Sequence, residues 1–252
     1  MDAIILAGME PRRNSGISGN KALLPINGKM MVEYVIDAVR GVDEIEKIVV
    51  IGPEDKLKEL VKYKIDAVIP PKGSIMDNLM SGVRYVGYTN YILVCASDIP
   101  MVSSEAIAHF IGSAKSLKAD LCYPVIEKTL SEKKYPEMAR TYVKIKDGTF
   151  TGGNLFYINP EVLERCAGLA DRLASFRKNP LKLARELSFY FMVQLFLGTL
   201  TIERVEKKVS TLLNINARAV ISPYPEIGND VDKTSDLLAV TAHLKGRALP
   251  QE

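Results

Sequence analysis

The chain has 252 residues, 47% of them hydrophobic, enough for one large globular domain or one domain with a sizeable insertion. Its formal net charge of +3 is small and the charges are interspersed, which argues against a nucleic-acid scaffold but permits local basic pockets. Cys95, Cys122 and Cys166 are isolated and odd in number, so neither a disulfide framework nor a zinc site is indicated, and a reducing cytoplasm is the expected home.

Ala3 to Leu6 is an apolar run too short for a helix, and it predicts a buried strand ending at Gly8. It stops too early for a signal peptide. The loop that follows holds Gly8, Gly16 and Gly19 with Arg12, Arg13 and Lys21, a composition suited to polyphosphate. It fits neither a Walker A loop, because Lys21 follows Asn20 and precedes Ala22, nor G-x-G-x-x-G. A plain connecting turn is the alternative.

Lys29 to Arg40 reads as an amphipathic helix, Ile48 to Ile51 as a second strand, Glu54 to Lys62 as a surface helix and Ala67 to Ile69 as a third strand. Lys72-Gly73-Ser74 then leads into a helix over Ile75 to Tyr85, and Tyr91 to Cys95 is a fourth strand. This alternation predicts an α/β fold, with a Rossmann-like mixed, mostly parallel sheet and helices on both faces. Ligands of such sheets bind beyond the carboxyl ends of the strands. Asp98 leaves the fourth strand at such an end. It either caps the next turn or faces a ligand, and Ser103-Ser104-Glu105 already supplies capping serines for the next helix.

From Asp120 the pattern becomes more antiparallel. Leu121 to Ile126 and Ala139 to Ile145 read as strands, with a polar excursion over Glu127 to Glu137 between them. Lys146-Asp147-Gly148-Thr149 predicts a hairpin turn. Gly152-Gly153-Asn154 enters the strand Leu155 to Ile158 and either admits something close to the backbone or makes a bulge.

Helices are predicted over Pro160 to Ala167, Asp171 to Lys178, Pro180 to Leu197 and Thr201 to Lys208. The apolar stretch Leu187 to Leu200 falls short of the roughly 20 residues that span a bilayer, so a buried or interface helix is expected and no transmembrane segment. Ala217 to Ser222 is a last strand and Asp236 to Leu244 a last helix. The loop between them carries Asp230, Asp232 and Asp236 without the pattern of an EF-hand.

Three stretches together carry a family resemblance: Leu6-Ala-Gly8 with Lys21-Ala-Leu-Leu-Pro-Ile-Asn-Gly28, then Asp98-Ile-Pro100, then Asp230-Val-Asp-Lys-Thr-Ser-Asp-Leu237. They resemble the nucleotidyltransferases of the glycosyltransferase-A-like fold, in particular the molybdenum-cofactor guanylyltransferase-like group. That group takes in cobinamide-phosphate guanylyltransferases and is related to methylerythritol-phosphate cytidylyltransferases. The resemblance covers about residues 1 to 105 and 139 to 245.

It implies an Mg²⁺-dependent enzyme that moves a nucleoside monophosphate from a triphosphate to a phosphorylated small-molecule acceptor and releases pyrophosphate. Leu6, Ala7, Gly8, Arg12, Lys21, Gly73, Ser74 and Asn78 would bind the nucleotide. Lys21, Arg13 and Asp98 would be catalytic, with the choice between Arg12 and Arg13 for the phosphate left open. Gly152, Gly153 and Asn154 would face the acceptor. Asp98 with Asp232, or in competition Asp230, would hold the metal.

The chain would then be one nucleotidyltransferase domain over 1 to 252. Its nucleotide-binding part runs over about 1 to 125, an acceptor side with a helical insertion over about 126 to 208, and a closing metal loop over about 209 to 252. The insertion would enlarge the acceptor pocket or form a homodimer contact, and no nucleic-acid partner is expected. The chain departs from the family's Leu-Ala-Gly-Gly-x-Gly-x-Arg at Met9, with Glu10-Pro-Arg-Arg after it, which leaves fewer close backbone approaches to phosphate. That departure motivates a nucleotide-binding sensor without turnover as an alternative. A nucleotide-sugar glycosyltransferase is a further one, disfavoured because Pro100 stands where Asp-x-Asp would place its second carboxylate. His109 and His243 are expected to be surface or packing residues.

Overall fold

A computed structural model describes residues 1–8, 16–61, 63–88, 90–176 and 189–247. The chain opens with strand β1 (Asp2–Leu6), followed by a hairpin of β2 (Pro25–Ile26) and β3 (Lys29–Met30) and then helix α1 (Met31–Arg40). Next come β4 (Ile48–Ile51), α2 (Glu54–Val61), β5 (Ala67–Ile69), α3 (Ile75–Val86), β6 (Ile92–Ala96) and α4 (Ser104–Leu117). The middle of the chain forms β7 (Leu121–Glu127), α5 (Lys128–Lys134), β8 (Val143–Ile145), β9 (Gly148–Gly152) and β10 (Leu155–Ile158). It closes with α6 (Leu163–Phe176), α7 (Phe189–Phe196), α8 (Ile202–Leu213), β11 (Ala217–Ile221) and α9 (Thr234–Arg247).

Nine of these strands form one sheet in the order β5-β4-β1-β6-β10-β7-β9-β8, with β11 paired to β7. β5, β4, β1 and β6 are mutually parallel, β10 runs antiparallel between β6 and β7, and β11 is parallel to β7. The expected mixed, mostly parallel sheet is therefore present. Leu6 pairs with both Ile51 and Ala96, so β1, β4 and β6 end level with one another.

Alternation along β1 divides the core. Ala3 and Ile5 join α1 and α4 residues such as Val35, Ile36, Ile107 and Phe110, while Ile4 joins Leu79, Met80 and Val83 of α3 and Leu163 of α6. Helices thus cover both faces. A third, smaller cluster of Ile26, Met31, Met101, Tyr135, Val231 and Val240 packs the β2–β3 hairpin and the start of α9 against the segment after β6. It fixes the loops at the carboxyl end of the sheet.

The structure departs from the sequence expectations at four places. Residues 25 to 30 fold as a hairpin before α1, with Asn27 and Gly28 both at positive φ as a tight two-residue turn requires. The polar excursion after β7 is the helix α5, and the strand expected from Ala139 begins only at Val143. The helices expected over Pro160 to Ala167 and Asp171 to Lys178 are one short 3-10 turn running into α6 as far as Phe176, residues 177 and 178 lying outside the described ones. Of the helix expected over Pro180 to Leu197, residues 180 to 188 lie outside the described ones. Among the described residues no helix is long and apolar enough to cross a membrane.

Candidate active site

Lys21 follows Asn20, which sets its position. The Asn20 Oδ1 accepts from Ala22 N at 2.8 Å and starts a 3-10 turn over Lys21–Leu23, while Asn20 Nδ2 donates to Ala7 O at 2.8 Å. One asparagine therefore ties the returning loop to the end of β1. Lys21 is then carried inward to 4% exposure. Its Nζ donates to Asp98 Oδ2 at 2.6 Å, to Val231 O at 2.8 Å and to Asp232 Oδ1 at 3.1 Å.

Asp98 stands two residues beyond β6 and is buried. The next helix, α4, is capped by Ser103, whose hydroxyl accepts from Ala106 N at 3.2 Å, so Asp98 has no capping duty there. Val231 N donates to Asp98 O at 2.8 Å, and the Asp236 carboxylate accepts from Asp232 N and Lys233 N at 3.0 and 3.1 Å. The late loop is thereby registered against the end of β6. Asp236 is buried, and its carboxylate gathers the two amides just before α9.

Oxygen atoms of Asp98, Asp230 and Asp232 lie within 4.8 Å of one another. Arg140 ion-pairs with Asp230 through Nη1, and its Nη2 donates to Asp230 O at 2.6 Å and its Nε to Asn229 Oδ1 at 3.2 Å. Burial pushes the Asp230 carboxyl up to about 6, against the pull of Arg140. Burial would depress the Lys21 ammonium, but the charges and hydrogen bonds of Asp98 and Asp232 outweigh it and the net shift is upward. Lys21 is a fixed positive charge at neutral pH. Among the described residues, Lys21 and Arg140 are the cations that pair with these carboxylates.

A cavity of about 380 Å³ opens at the same end of the sheet, lined by Leu6 and Gly8 after β1, Gly73 and Asn78 at α3, and Gly153 and Asn154 before β10. Residues expected to bind nucleotide and residues expected to face the acceptor thus share one cavity. A second cavity, about 590 Å³, lies between α3 and α6 and shares Gly73 with the first, so the helical insertion borders the site from the α3 side.

Other expected site residues have structural roles. Ala7 is fully buried and offers its carbonyl to Asn20. The Ser74 hydroxyl caps α3, accepting from Asp77 N at 3.1 Å. Asn78 Oδ1 accepts from Lys72 N at 2.6 Å. A Cβ on Gly8 would come within 2.6 Å of Pro71, one on Gly152 within 2.2 Å of the Tyr123 hydroxyl, and one on Gly153 within 2.7 Å of both Ile227 and Pro124. These glycines make room for the protein's own packing. Arg12 and Arg13, with the loop from Met9, lie outside the described residues.

Asn20 and Arg140 were not singled out by sequence reasoning. Asn20 had a local signal, an N-cap residue beside a short turn. Arg140 had none, because its partner is 90 residues away.

Residues 3–188 match the model of the MobA-like NTP transferase domain. The chain is 30% identical over 128 residues to a probable molybdenum cofactor guanylyltransferase of Natranaerobius thermophilus, a match covering 50% of this chain and 60% of that protein. It is 25% identical over 158 residues to a probable molybdenum cofactor guanylyltransferase of Thermococcus gammatolerans, covering 61% and 78% of the two chains. A solved structure titled as a hypothetical transferase from Thermus thermophilus is 34% identical, covers 94% of this chain and 98% of its own, and superposes with a TM-score of 0.81. The matched segment carries Lys21 and Asp98, and the fold brings Asp230 and Asp232 to them from outside it. By its sequence over that segment and by the sheet beneath it, the chain belongs to the MobA-like NTP transferase domain family.

Proposed function

We propose that the protein is a nucleotidyltransferase that moves a nucleoside monophosphate from a nucleoside triphosphate to a phosphorylated small-molecule acceptor, with release of pyrophosphate. The observation that carries this reading is the buried Lys21 ammonium, held among Asp98, Asp232 and Val231 O where β1 and β6 end, at the same end of the sheet as the 380 Å³ cavity. An oxygen of the acceptor phosphate attacks the α-phosphorus, a P–O bond forms, and the bond to the bridging oxygen of the β-phosphate breaks. The electron pair leaves with pyrophosphate.

An acceptor phosphate is anionic at neutral pH, so the step needs no general base. His109 and His243 are not needed for it, and they pack beside Tyr224 and Tyr135 with ring centroids 5.2 and 5.1 Å apart. Lys21, itself buried, provides fixed charge for the phosphates. The cavity walls orient the nucleoside, and closely held reactants account for much of the rate.

The carboxylates of Asp98 and Asp232 are the hard oxygen donors that suit Mg²⁺, and they lie within 4.8 Å of each other. Asp230 is committed to Arg140 through its carboxylate and its carbonyl, which makes Asp232 the better second ligand. When bound, Mg²⁺ supplies charge neutralisation on the phosphate oxygens.

The names of the relatives make GTP the first triphosphate to try. Purified protein is incubated with GTP, CTP, UTP or ATP, Mg²⁺ and candidate phosphorylated acceptors, and pyrophosphate is measured. Release that requires both a triphosphate and an acceptor supports the proposal. Binding of triphosphate with no release across the acceptor panel favours a sensor instead.

A further inference from the structure

We propose that Arg140 is a positioning residue for this reaction, acting through the forked shape of its guanidinium on the loop that carries Asp232. The inference rests on the nucleotidyl-transfer reading above. Arg140 lies in the segment between α5 and β8, and its side chain is 7% exposed, which leaves it little surface to offer a substrate. Three of its nitrogens bond the late loop: Nε to Asn229 Oδ1, Nη1 to Asp230 Oδ1 and Nη2 to Asp230 O.

The two residues it grips immediately precede the two that meet Lys21. Val231 gives its carbonyl to Lys21 Nζ and its N–H to Asp98 O, and Asp232 gives its carboxylate to Lys21. The loop is therefore tied from the Arg140 side, from the end of β6 and from Asp236. Of these ties only Arg140 spends parallel donors on one residue's side chain and backbone together, which fixes rotation of the loop as well as its distance.

Arg140 engages Oδ1 of Asn229, a fully buried residue, and so sets the orientation of its amide at the point where the loop turns toward Lys21.

The test compares Arg140→Lys and Arg140→Ala with wild type, using the full chain, GTP, Mg²⁺ and whichever acceptor supports release. Lysine keeps a positive charge and cannot reproduce the fork. Both variants are expected to lose about tenfold or more in kcat per folded molecule while KM for the triphosphate changes by less than about threefold, as when a reacting group is misplaced. Hydrogen exchange is expected to quicken at Val231, whose amide bonds Asp98 O.

Wild-type kcat in Arg140→Lys would mean that charge alone suffices and would overturn the proposal. So would unchanged kcat per folded molecule in Arg140→Ala with only a lower melting temperature. If wild type releases no pyrophosphate from any triphosphate, the nucleotidyl-transfer reading fails by itself. Exchange at Val231 then still decides the clamp: faster exchange in Arg140→Lys supports it and unchanged exchange overturns it.

Discussion

Replacing Lys21 with methionine keeps an unbranched side chain and removes a cation that touches both Asp98 and Asp232. In the wild type that ammonium faces Asp98 at 2.6 Å and Asp232 at 3.1 Å, with side-chain exposures of 5% for Lys21, 7% for Asp98 and 24% for Asp232. Removing one partner of a buried pair leaves an uncompensated charge and costs about 3–5 kcal/mol. Asp232 has access to water, so the lower end, about 3 kcal/mol, applies here. For a chain of this size that corresponds to a fall in Tm of about 6–12 °C.

The raised pKa of Lys21 fixes the pH at which to measure. Its stabilising contribution is complete at neutral pH and is lost only as pH rises past the ordinary lysine value of 10.5. At pH 7 and low salt, Mg²⁺ or Mn²⁺ at ten times its dissociation constant is expected to return about 1.4 kcal/mol to Lys21→Met, because the carboxylates regain a counter-charge. The wild type, whose ammonium already fills that role, is expected to respond less. Pyrophosphate release is expected to fall by about 10²–10³, the loss typical of one preorganised donor. A Lys21→Met protein melting within about 1 °C of wild type, with no response to divalent cations, would refute the desolvated cluster.

Asn20→Ala removes both the cap on Ala22 and the tie to Ala7 O, and a loss of about 1 kcal/mol by denaturant melting is expected, with a raised KM for the triphosphate. Gly153→Ala places a Cβ 2.7 Å from Ile227 and Pro124, and a loss of about 1–3 kcal/mol is expected from the same measurement. Asp37, partly buried, has its carboxyl held below the usual range because Lys29 and Lys64 outweigh the effect of burial. Its contribution is present above the ordinary value of 3.8 and lost as pH falls below it, so Asp37→Asn should lower stability at pH 7 by less than about 1 kcal/mol and match wild type near pH 2.

The strands that organise the site were legible because β1, β4 and β6 are short apolar runs ending at Gly, Pro or Asp, and such runs lie buried between two helical layers. Lys21 and Asp98 stood out for the same reason, as charged groups just beyond those runs. Helix α5 was not legible: Lys128–Lys134 is polar almost throughout, and its one buried residue is Ser131, so no apolar stripe announces it. The β2–β3 hairpin carried the signal Asn27-Gly28, but its strands are two residues long, below the length at which alternation is visible. The glycines at 152 and 153 leave room beside the backbone, and the sequence does not say for what. What takes the space, Tyr123, Pro124 and Ile227, is set by tertiary packing and leaves no local mark.

The ion pairs of the cluster join residues far apart along the chain: Lys21 meets Asp98 across 77 positions and Asp232 across 211, and Arg140 meets Asp230 across 90. Contacts that close such long loops form late in folding, since the chain entropy must be lost before they return anything. A folding intermediate that has assembled only β1, β4, β5 and β6 would hold Lys21 and Asp98 without Asp232, whose place depends on β11 and α9 docking. Triphosphate recognised by the whole cluster would bind the finished protein and none of its precursors, drawing the population toward complete folding. The nucleotide would then act on the finished chain alone, holding the three distant parts of the cluster together once they have met, and would leave the earlier steps as slow as before.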